Sequence, residues 1–385
     1  MLDFFAFILF ALAQWRITAN WLRLAARRVA GWKLAAARRL IFAFDVCIAI
    51  GYALTFSEVT SRLHVNSLAP MFAGAVALAY LMIASAVYAA RSVVGIAQKR
   101  FSVETDPSRR SLLKAAGAAL TAAPVVAVGY GALIQRTNFR VREVDIALKD
   151  LPADLDGLRL LQLSDIHLSA FLSEAELARV IDASNELRPH VAVVTGDLIS
   201  LPGDPLDACI RQLARIRSDA GIFGCMGNHE RVAGAERYAA EAGARRGIRF
   251  LRGEARRLSF GEAMLNLAGV DYQPLFRKTE YLRGAEALVE PGAVNVLLSH
   301  NSDVLPVAAR QGYNLVLAGH THGGQVTVEI LDQGINPARF FTPYVYGLYR
   351  VGSTAEYVTR GIGTIAIPAR IGAPPEISVA RLRKA

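Results

Sequence analysis

The sequence has few cysteines and no spacing that would make them cooperate. Only three occur in 385 residues, Cys47, Cys209 and Cys225, and no two are arranged as CxxC. This excludes a zinc ribbon, a redox dithiol and a small disulfide-stapled domain. For Cys209 and Cys225 a mutual disulfide is one alternative, and a pair of buried free thiols is the one we expect.

Charged residues are also scarce, and acidic residues are nearly missing from the first third. Charged residues make up 20% of the chain and apolar residues 53%, which excludes a disordered chain, a coiled coil and a collagen-like repeat. Residues 1–140 hold 16 Lys+Arg against 5 Asp+Glu, whereas residues 141–385 hold 27 against 28. A nucleic-acid-binding protein carries its basic excess on the folded domain. Because residues 141–385 are near neutral, we expect no nucleic-acid partner.

The N-terminal part contains long runs with almost no charge, and we interpret residues 1–140 as a transmembrane helical region of three or four helices. A run of about 20 apolar residues is long enough to cross the hydrocarbon core of a bilayer. Asp45 lies inside one run, so we expect it at an interface, facing another helix, or protonated. The first run is either a span or a helix on the membrane surface. The four runs are residues 4–13, 40–57, 68–90 and 115–135.

Basic residues between these runs predict the orientation in the membrane. Residues 14–39 and 91–114, which we interpret as loops, are rich in Lys and Arg. The predicted loop between residues 57 and 68 has Arg62 as its only basic residue. Under the positive-inside rule both basic loops are cytoplasmic. Arg109 and Arg110, ahead of the last run, resemble a twin-arginine export signal. We therefore expect a multi-pass protein of a bacterial inner membrane with its C-terminal domain in the periplasm.

From residue 141 the pattern changes to short apolar runs separated by amphipathic stretches, which is typical of alternating strands and helices in one α/β domain, residues 141–385. Ser173 with Glu176 three residues later predicts a capping box that opens a helix. Residues 205–217 and 233–244 are predicted helices. The predicted strands are Leu158 to Ser164, Val191 to Thr195, Ile222 to Met226, Leu265 to Val270, Val294 to Ser299 and Leu315 to Ala318.

Five of the seven histidines lie in turns directly after these predicted strands. In α/β sheets, functional groups gather at the carboxyl ends of strands, so we expect the histidines to converge with two Asp and one Asn. His, carboxylate and amide oxygen suit two divalent ions such as Mn, Fe or Zn, and Asp197 is the natural bridge between them. The converging residues are Asp165, His167, Asp197, Asn228, His229, His300, His320 and His322.

The ordered series DxH, GD, GNHE, H and GHxH resembles the calcineurin-like metallophosphoesterases. This resemblance implies a sandwich of two mixed β-sheets flanked by helices and a metal-dependent phosphoric ester hydrolase. It implies that His229 binds no metal and faces the leaving group. It also implies two metal-ligand sets that share Asp197: Asp165, His167, Asp197 and His322 on the first ion, and Asp197, Asn228, His300 and His320 on the second.

One position departs from the family pattern. The second motif is commonly GDxxD, but here it runs from Gly196 to Ser200. The family's second Asp is not itself a metal ligand, so we expect its absence to affect the properties of the metal site more than catalysis. For His229 we expect Glu230 or Asp197 to polarise the imidazole. For Arg370 two interpretations stand, a phosphate-binding group or a cap on a carboxyl end.

The N-terminal runs, together with the closing stretch from Arg360 through Arg370 to Ile377, resemble the bacterial membrane-bound branch of the family. That resemblance implies hydrolysis of a phosphodiester or a pyrophosphate, with lipid-linked UDP-2,3-diacylglucosamine of lipid A biosynthesis among the candidate substrates. The alternative is an inactive membrane-anchored binding or scaffold protein, whose expected mark is a missing ligand. None is missing. The sequence does not indicate an oligomeric state.

Overall fold

The computed structural model describes residues 2–53, 68–100, 119, 122–275, 277–330 and 333–385. The chain forms two compact units. One comprises Met1–Leu133 with Ala366–Ala369, and the other comprises Ile134–Ile365 with Arg370–Ala385.

The first unit is helical. The prediction that residues 14–39 form a loop is wrong, because they are helical apart from residues 29 and 30. The prediction of a loop from residue 91 is wrong as far as residue 100; residues 101–114, with Arg109 and Arg110, lie outside the described residues. Ala, Arg and Lys are good helix formers, so these basic stretches extend helices. The helices are α1 (Leu2–Arg28), α2 (Gly31–Ala53), α3 (Leu68–Arg100) and α4 (residues 122–133).

One segment within the described residues, Phe72–Ala89 of α3, is long and apolar enough to cross a membrane by length and composition. Asp45 on α2 faces another helix, as one of our alternatives predicted. Its carboxylate accepts hydrogen bonds from Gln14 Nε2 at 2.7 Å and Thr18 Oγ1 at 2.9 Å, both on α1. This pairing satisfies a carboxylate in the otherwise apolar second half of α2. The several membrane spans of residues 1–140 stay a prediction.

The second unit is built on two six-stranded mixed sheets, as the fold prediction states. The first sheet has the order β1-β14-β2-β3-β4-β5 and the second β12-β13-β9-β8-β7-β6. In the first sheet β2 to β5 are parallel, and in the second β7, β8, β9 and β13 are parallel. The strands are β1 (Arg140–Leu148), β2 (Arg159–Leu163), β3 (Val191–Thr195), β4 (Ile222–Cys225), β5 (Ile248–Phe250), β6 (Glu254–Phe260), β7 (Ala263–Gly269), β8 (Val294–Leu298), β9 (Leu315–Ala318), β10 (Val328–Ile330), β11 (Gln333–Ile335), β12 (Gly347–Val351), β13 (Thr354–Val358) and β14 (Glu376–Lys384).

The sheets pack face to face, and helices cover their outer faces. Leu160 and Val193 of the first sheet share a buried cluster with Leu265 and Leu317 of the second. Because both faces of each sheet are covered, the central strands β3 and β8 are buried along their whole length, which explains their continuous apolar runs. The helices are α5 (Glu174–Glu186), α6 (Leu206–Leu213), α7 (Asn228–Val232), α8 (Glu236–Ala244) and α9 (Leu305–Gln311).

The predicted elements of the second unit agree with the structure to within a few residues. All six predicted strands are present, and Ser173 caps α5 in the predicted capping box with Glu176. Cys209 and Cys225 are free and buried, as expected. The edge strands β1, β5, β6 and β12 and the inner strands β13 and β14 were not predicted.

Candidate metal centre

The first sheet supplies half of the candidate site from the carboxyl ends of three neighbouring strands. Asp165 and His167 lie in the turn after β2, Asp197 follows β3, and Asn228 follows β4 as the first residue of α7. Asp165, His167 and Asp197 are at most 2% exposed. The parallel order β2-β3-β4 therefore brings these groups to one edge.

The second sheet supplies the other half, because β8 is followed by His300 and β9 by His320 and His322. Two groups of possible ligand atoms result, each with its atoms within 4.8 Å of one another. One group is Asp165, His167 and His322, and the other is Asp197, His300 and His320.

Asp197 belongs to the second group and also approaches a histidine of the first. Its Oδ2 is 3.0 Å from His300 Nε2 and 3.6 Å from His167 Nε2. A third group of neighbouring atoms joins His167, Asp197 and His229. The structure thus brings together the side chains that the sequence places at strand ends, and Asp197 contacts histidines of both groups.

The backbone at this site is strained. Five of its residues other than glycine have positive φ angles: Asp165 (50°), His167 (49°), Asp197 (55°), His320 (73°) and His322 (52°). Such conformations cost of order 1–3 kcal/mol each and persist where surrounding structure enforces them. The concentration of strained residues at these strand ends is typical of a functional site.

Two glycines allow the β3 and β4 turns to touch. A Cβ on Gly227 would lie 2.1 Å from Asp197 Oδ1. Gly196 has φ +88°, and its Cβ would lie 2.8 Å from His300 Nδ1. Both motif glycines are therefore required by close approach of the backbone, and Gly196 also by its left-handed conformation.

Burial keeps three of the histidines neutral. It lowers the pKa of His167 to about 3 and that of His320 to about 4. Burial, together with the charges of His167 and Arg370, places the pKa of His322 well below its usual value. Neutral imidazole is the form that binds a metal ion.

The remaining charges are arranged around Asp197. Burial opposes a charge on His300, but attraction to Asp197 and the hydrogen bond between them raise the pKa of His300 to about 10. Burial likewise opposes ionisation of Asp197, yet the charge of His300 holds the pKa of that carboxyl below its usual value. Burial raises the pKa of Asp165 to about 6. Two buried carboxylates thus face several imidazoles.

The donor set fits divalent metal ions. Asn228 Oδ1 is buried and has no hydrogen-bond partner among the described residues. His167 Nε2 and His322 Nε2 lie 3.2 Å apart. In a neutral imidazole one ring nitrogen is an acceptor, so each ring has a lone pair that needs a hydrogen-bond donor or a cation. Bound cations would satisfy these atoms. The Asp and His cluster is therefore a candidate site for divalent metal.

Glu230 does not polarise His229, and that expectation is wrong. The Glu230 carboxylate is fully buried and accepts hydrogen bonds from the backbone N–H groups of Asp197 (2.9 Å), Leu198 (2.7 Å) and Gly227 (2.8 Å). Burial and the Asp197 charge raise the pKa of Glu230 to about 6, against the effect of the N–H donors. Glu230 clamps the β3 turn to the β4 turn.

His229 is oriented instead by Ser200. His229 Nδ1 is hydrogen-bonded to the backbone carbonyl of Ser200, and its ring meets the His167 ring edge-on at 4.8 Å. The contact of Asp197 with His229 is to the backbone, since Asp197 Oδ1 accepts the His229 N–H at 2.9 Å. Donation from Nδ1 to a carbonyl leaves Nε2 available for proton transfer.

The side chain of Ser200, at the position of the second Asp in the family pattern, contacts His167. Its Oγ lies 3.2 Å from His167 Nδ1, so the hydroxyl accepts from Nδ1–H and Nε2 faces the cluster. The departure at this position therefore changes the side-chain contact with His167, whereas the backbone carbonyl that holds His229 does not depend on the side chain.

We predict that Ser200→Ala lowers metal affinity by about 10–100-fold, the usual cost of losing an outer partner of a ligating histidine. At saturating metal kcat should largely recover, because the Ser200 carbonyl that orients His229 remains. Titration against a competing chelator measures the affinity. Ser218→Ala, which removes a hydroxyl bonded to Gly221 O outside the site, is the matched control. Equal affinities in the two variants would contradict this role for Oγ.

Arg370 binds no phosphate in this arrangement, so that interpretation is wrong. Its side chain is fully buried and donates to the backbone carbonyls of Gly363 (3.0 Å), Arg360 (2.9 Å), Ala373 (3.1 Å) and His322 (3.3 Å). Burial lowers the pKa of Arg370 to about 9. The guanidinium secures the 360–363 turn beneath His322.

Sequence analysis missed Tyr272. Its ring lies 6.1 Å from the His300 ring and 5.7 Å from the His320 ring, measured between centroids. Burial raises the pKa of Tyr272. Its position in the sequence could have identified it, since it comes shortly after a predicted strand, as the histidines do.

The fold and this cluster define a metal-dependent phosphoester hydrolase, and the chain belongs to the calcineurin-like phosphoesterase family. The family model matches residues 158–324. The chain is 30% identical to the uncharacterized metallophosphoesterase YkuE of Bacillus subtilis over 72% of its own length and 98% of that protein. It is 32% identical to a transmembrane protein with metallophosphoesterase domain of Danio rerio, over 69% of the chain but only 62% of that relative. It is 28% identical to the phosphodiesterase YaeI of Escherichia coli over 58% of the chain and 82% of that protein.

Proposed function

We propose that this chain is a membrane-anchored phosphodiesterase that uses two divalent ions. The observation that carries the proposal is the pair of ligand groups that Asp197 connects, together with the unpartnered oxygen of Asn228. In this assignment Asp165, His167, Asp197 and His322 hold one ion. Asp197, Asn228, His300 and His320 hold the other. Mn, Fe and Zn all suit these donors.

The residues around the ions have separate tasks. When bound, the two ions supply Lewis-acid stabilisation for the phosphoryl oxygens and lower the pKa of an attacking water. His229 donates a proton from Nε2 to the leaving oxygen, and the Ser200 carbonyl holds the ring in place for that transfer. Asp197 would contribute to both ion sites, because its carboxylate contacts histidines of both ligand groups.

For the substrate, we propose a phosphodiester or a pyrophosphate presented at a membrane, with a lipid-linked molecule such as UDP-2,3-diacylglucosamine as a candidate. The phosphodiesterase name of the YaeI relative supports the bond type, and the transmembrane name of the Danio rerio relative supports the membrane. We assign residues 1–140 to the membrane region and residues 141–385 to the catalytic domain.

Metal removal tests the activity. Full-length protein should hydrolyse bis(p-nitrophenyl) phosphate only when a divalent ion such as Mn, Zn or Co is present, and a chelator should abolish turnover reversibly. Turnover by chelated protein whose metal content has been measured as zero would reject the proposal. Hydrolysis with metal would at the same time reject the inactive-scaffold alternative.

Reporter fusions test the side of the membrane. We propose that the catalytic domain faces the periplasm of a bacterial inner membrane, as the basic residues of the N-terminal region predict. An alkaline phosphatase fused after residue 140 should then be active, and a fluorescent protein that matures only in the cytoplasm should stay dark there. The reverse pattern would place the domain in the cytoplasm and favour a nucleotide-linked lipid made on that side.

A further inference from the structure

Beside the candidate metal centre lies a polar cavity of about 200 Å³. That is smaller than the ~300–1,000 Å³ of pockets that enclose a whole small-molecule ligand, so it suits one charged group of a larger molecule. We call it the arginine cavity. Its walls include Arg231, Arg277 and Arg283 together with Gln273, Glu280 and Tyr281.

The walls of the arginine cavity continue directly into the metal centre. Asn301 follows the candidate ligand His300, and its side-chain amide donates to Gln273 O at 2.7 Å and to Tyr281 Oη at 3.1 Å. Tyr272, whose ring lies against His300, precedes Gln273 in the chain. A single buried amide therefore fixes two walls of the cavity to the residue beside a ligand.

The position on α7 relates the cavity to one side of the reaction. Arg231 lies two residues after His229 on the same short helix. In the proposed mechanism His229 serves the leaving group. The proposed proton donor and one wall of the arginine cavity therefore belong to the same short helix.

The charge of the cavity favours an anion. Arg277 pairs with Glu280 at 3.4 Å, but neither Arg231 nor Arg283 takes part in an ion pair within the described part of the chain. Two guanidinium groups without a carboxylate partner thus face a shared concave space. Guanidinium presents its N–H donors in a fork that matches the oxygens of a phosphate.

We propose that the arginine cavity binds a second phosphate, carried by the leaving group of the substrate. This inference rests on the proposed function and narrows it: the substrate is a pyrophosphate, or a phosphodiester whose leaving group bears a further phosphate. A lipid headgroup and a soluble nucleotide both offer this chemistry.

Inhibition of the full-length protein tests the cavity. With bis(p-nitrophenyl) phosphate as substrate, the inhibition constants of methylenediphosphonate and methylphosphonate compare two anionic groups with one. In Arg231→Gln and Arg283→Gln, the preference for the diphosphonate should fall about tenfold, the value of one charge-assisted hydrogen bond. Arg249→Gln, which removes the same charge from the exposed face of β5, should keep the wild-type preference.

The outcomes separate this inference from the proposed function. Absence of metal-dependent turnover rejects the proposed function and this inference together. Turnover with an unchanged preference in both cavity variants, or with an equal loss in Arg249→Gln, rejects the cavity alone. The metal content of each variant is measured to show whether the substitution changed the metal centre itself.

A second comparison distinguishes the two sources of the phosphate. Phosphatidylcholine vesicles that contain phosphatidylglycerol phosphate are compared with the deacylated soluble headgroup as inhibitors. Stronger inhibition by the vesicles supports a lipid source, and equal inhibition supports a soluble one. In either case the inhibition should be weaker in the cavity variants than in the wild-type protein. If both forms inhibit the variants as strongly as the wild type, the proposal is overturned.

Discussion

Asp197→Asn should lower kcat/KM by about 10³-fold or more and reduce bound metal from two ions to at most one. The carboxylate has one oxygen 3.0 Å from His300 and 3.6 Å from His167, so it contacts histidines of both ligand groups. Asn keeps the shape and one oxygen but loses the charge. Lewis-acid activation by an ion is worth several kcal/mol, and each 1.36 kcal/mol changes a rate tenfold.

Metal analysis of the purified full-length variant and steady-state kinetics at saturating metal measure the two effects. Asp207→Asn, at an exposed carboxylate bonded to Tyr238, is the matched control and should retain metal and activity. If Asp197→Asn keeps two tightly bound ions, Asp197 is not the bridge and the ligand assignment fails.

His229→Gln should lower kcat by about 10²–10⁴-fold on a substrate with an alkyl leaving group and leave the metal content unchanged. An alkoxide needs a proton as it leaves, and in the proposed mechanism His229 donates it from Nε2 while Nδ1 is fixed on the Ser200 carbonyl. A p-nitrophenolate leaving group needs little protonation, so the loss on p-nitrophenyl esters should be much smaller.

This difference between leaving groups distinguishes proton donation from metal binding. His190→Gln provides a matched control, because His190 accepts the backbone N–H of Arg159 away from the site. Loss of metal in His229→Gln would make His229 a ligand, as its proximity to His167 and Asp197 permits. Equal losses on both leaving groups would exclude a general acid.

The strands and the order of the motifs follow from the sequence because they depend on residues close together in the chain. An apolar run such as Val191 to Thr195 is buried on both faces wherever its sheet is covered on both sides. The capping box of Ser173 and Glu176 is complete within four residues. Histidines placed after such runs predict convergence, since parallel strands end at one edge.

The edge strands were harder to predict because they depend on pairing with another strand. β1 and β6 are largely exposed, so their apolar pattern is weak, and their pairing with β14 and β7 is what defines them. The predicted loops in residues 14–39 failed because charge indicates the side of a membrane and not the local conformation. The number of membrane spans in residues 1–140 remains a prediction.

By itself the sequence determined the family, the strand-helix alternation and the set of residues that carry the chemistry. Only the tertiary structure decided their individual contacts: Ser200 beneath His229, Glu230 on three backbone amides, Arg370 buried on carbonyls, and the arginine cavity beside His300. The Asp165 carboxylate accepts the N–H of His320 from 155 residues away, on the other sheet. Such contacts depend on how the two sheets pack and on the direction in which the strained turns point their side chains. A local sequence pattern does not specify contacts between residues so far apart in the chain.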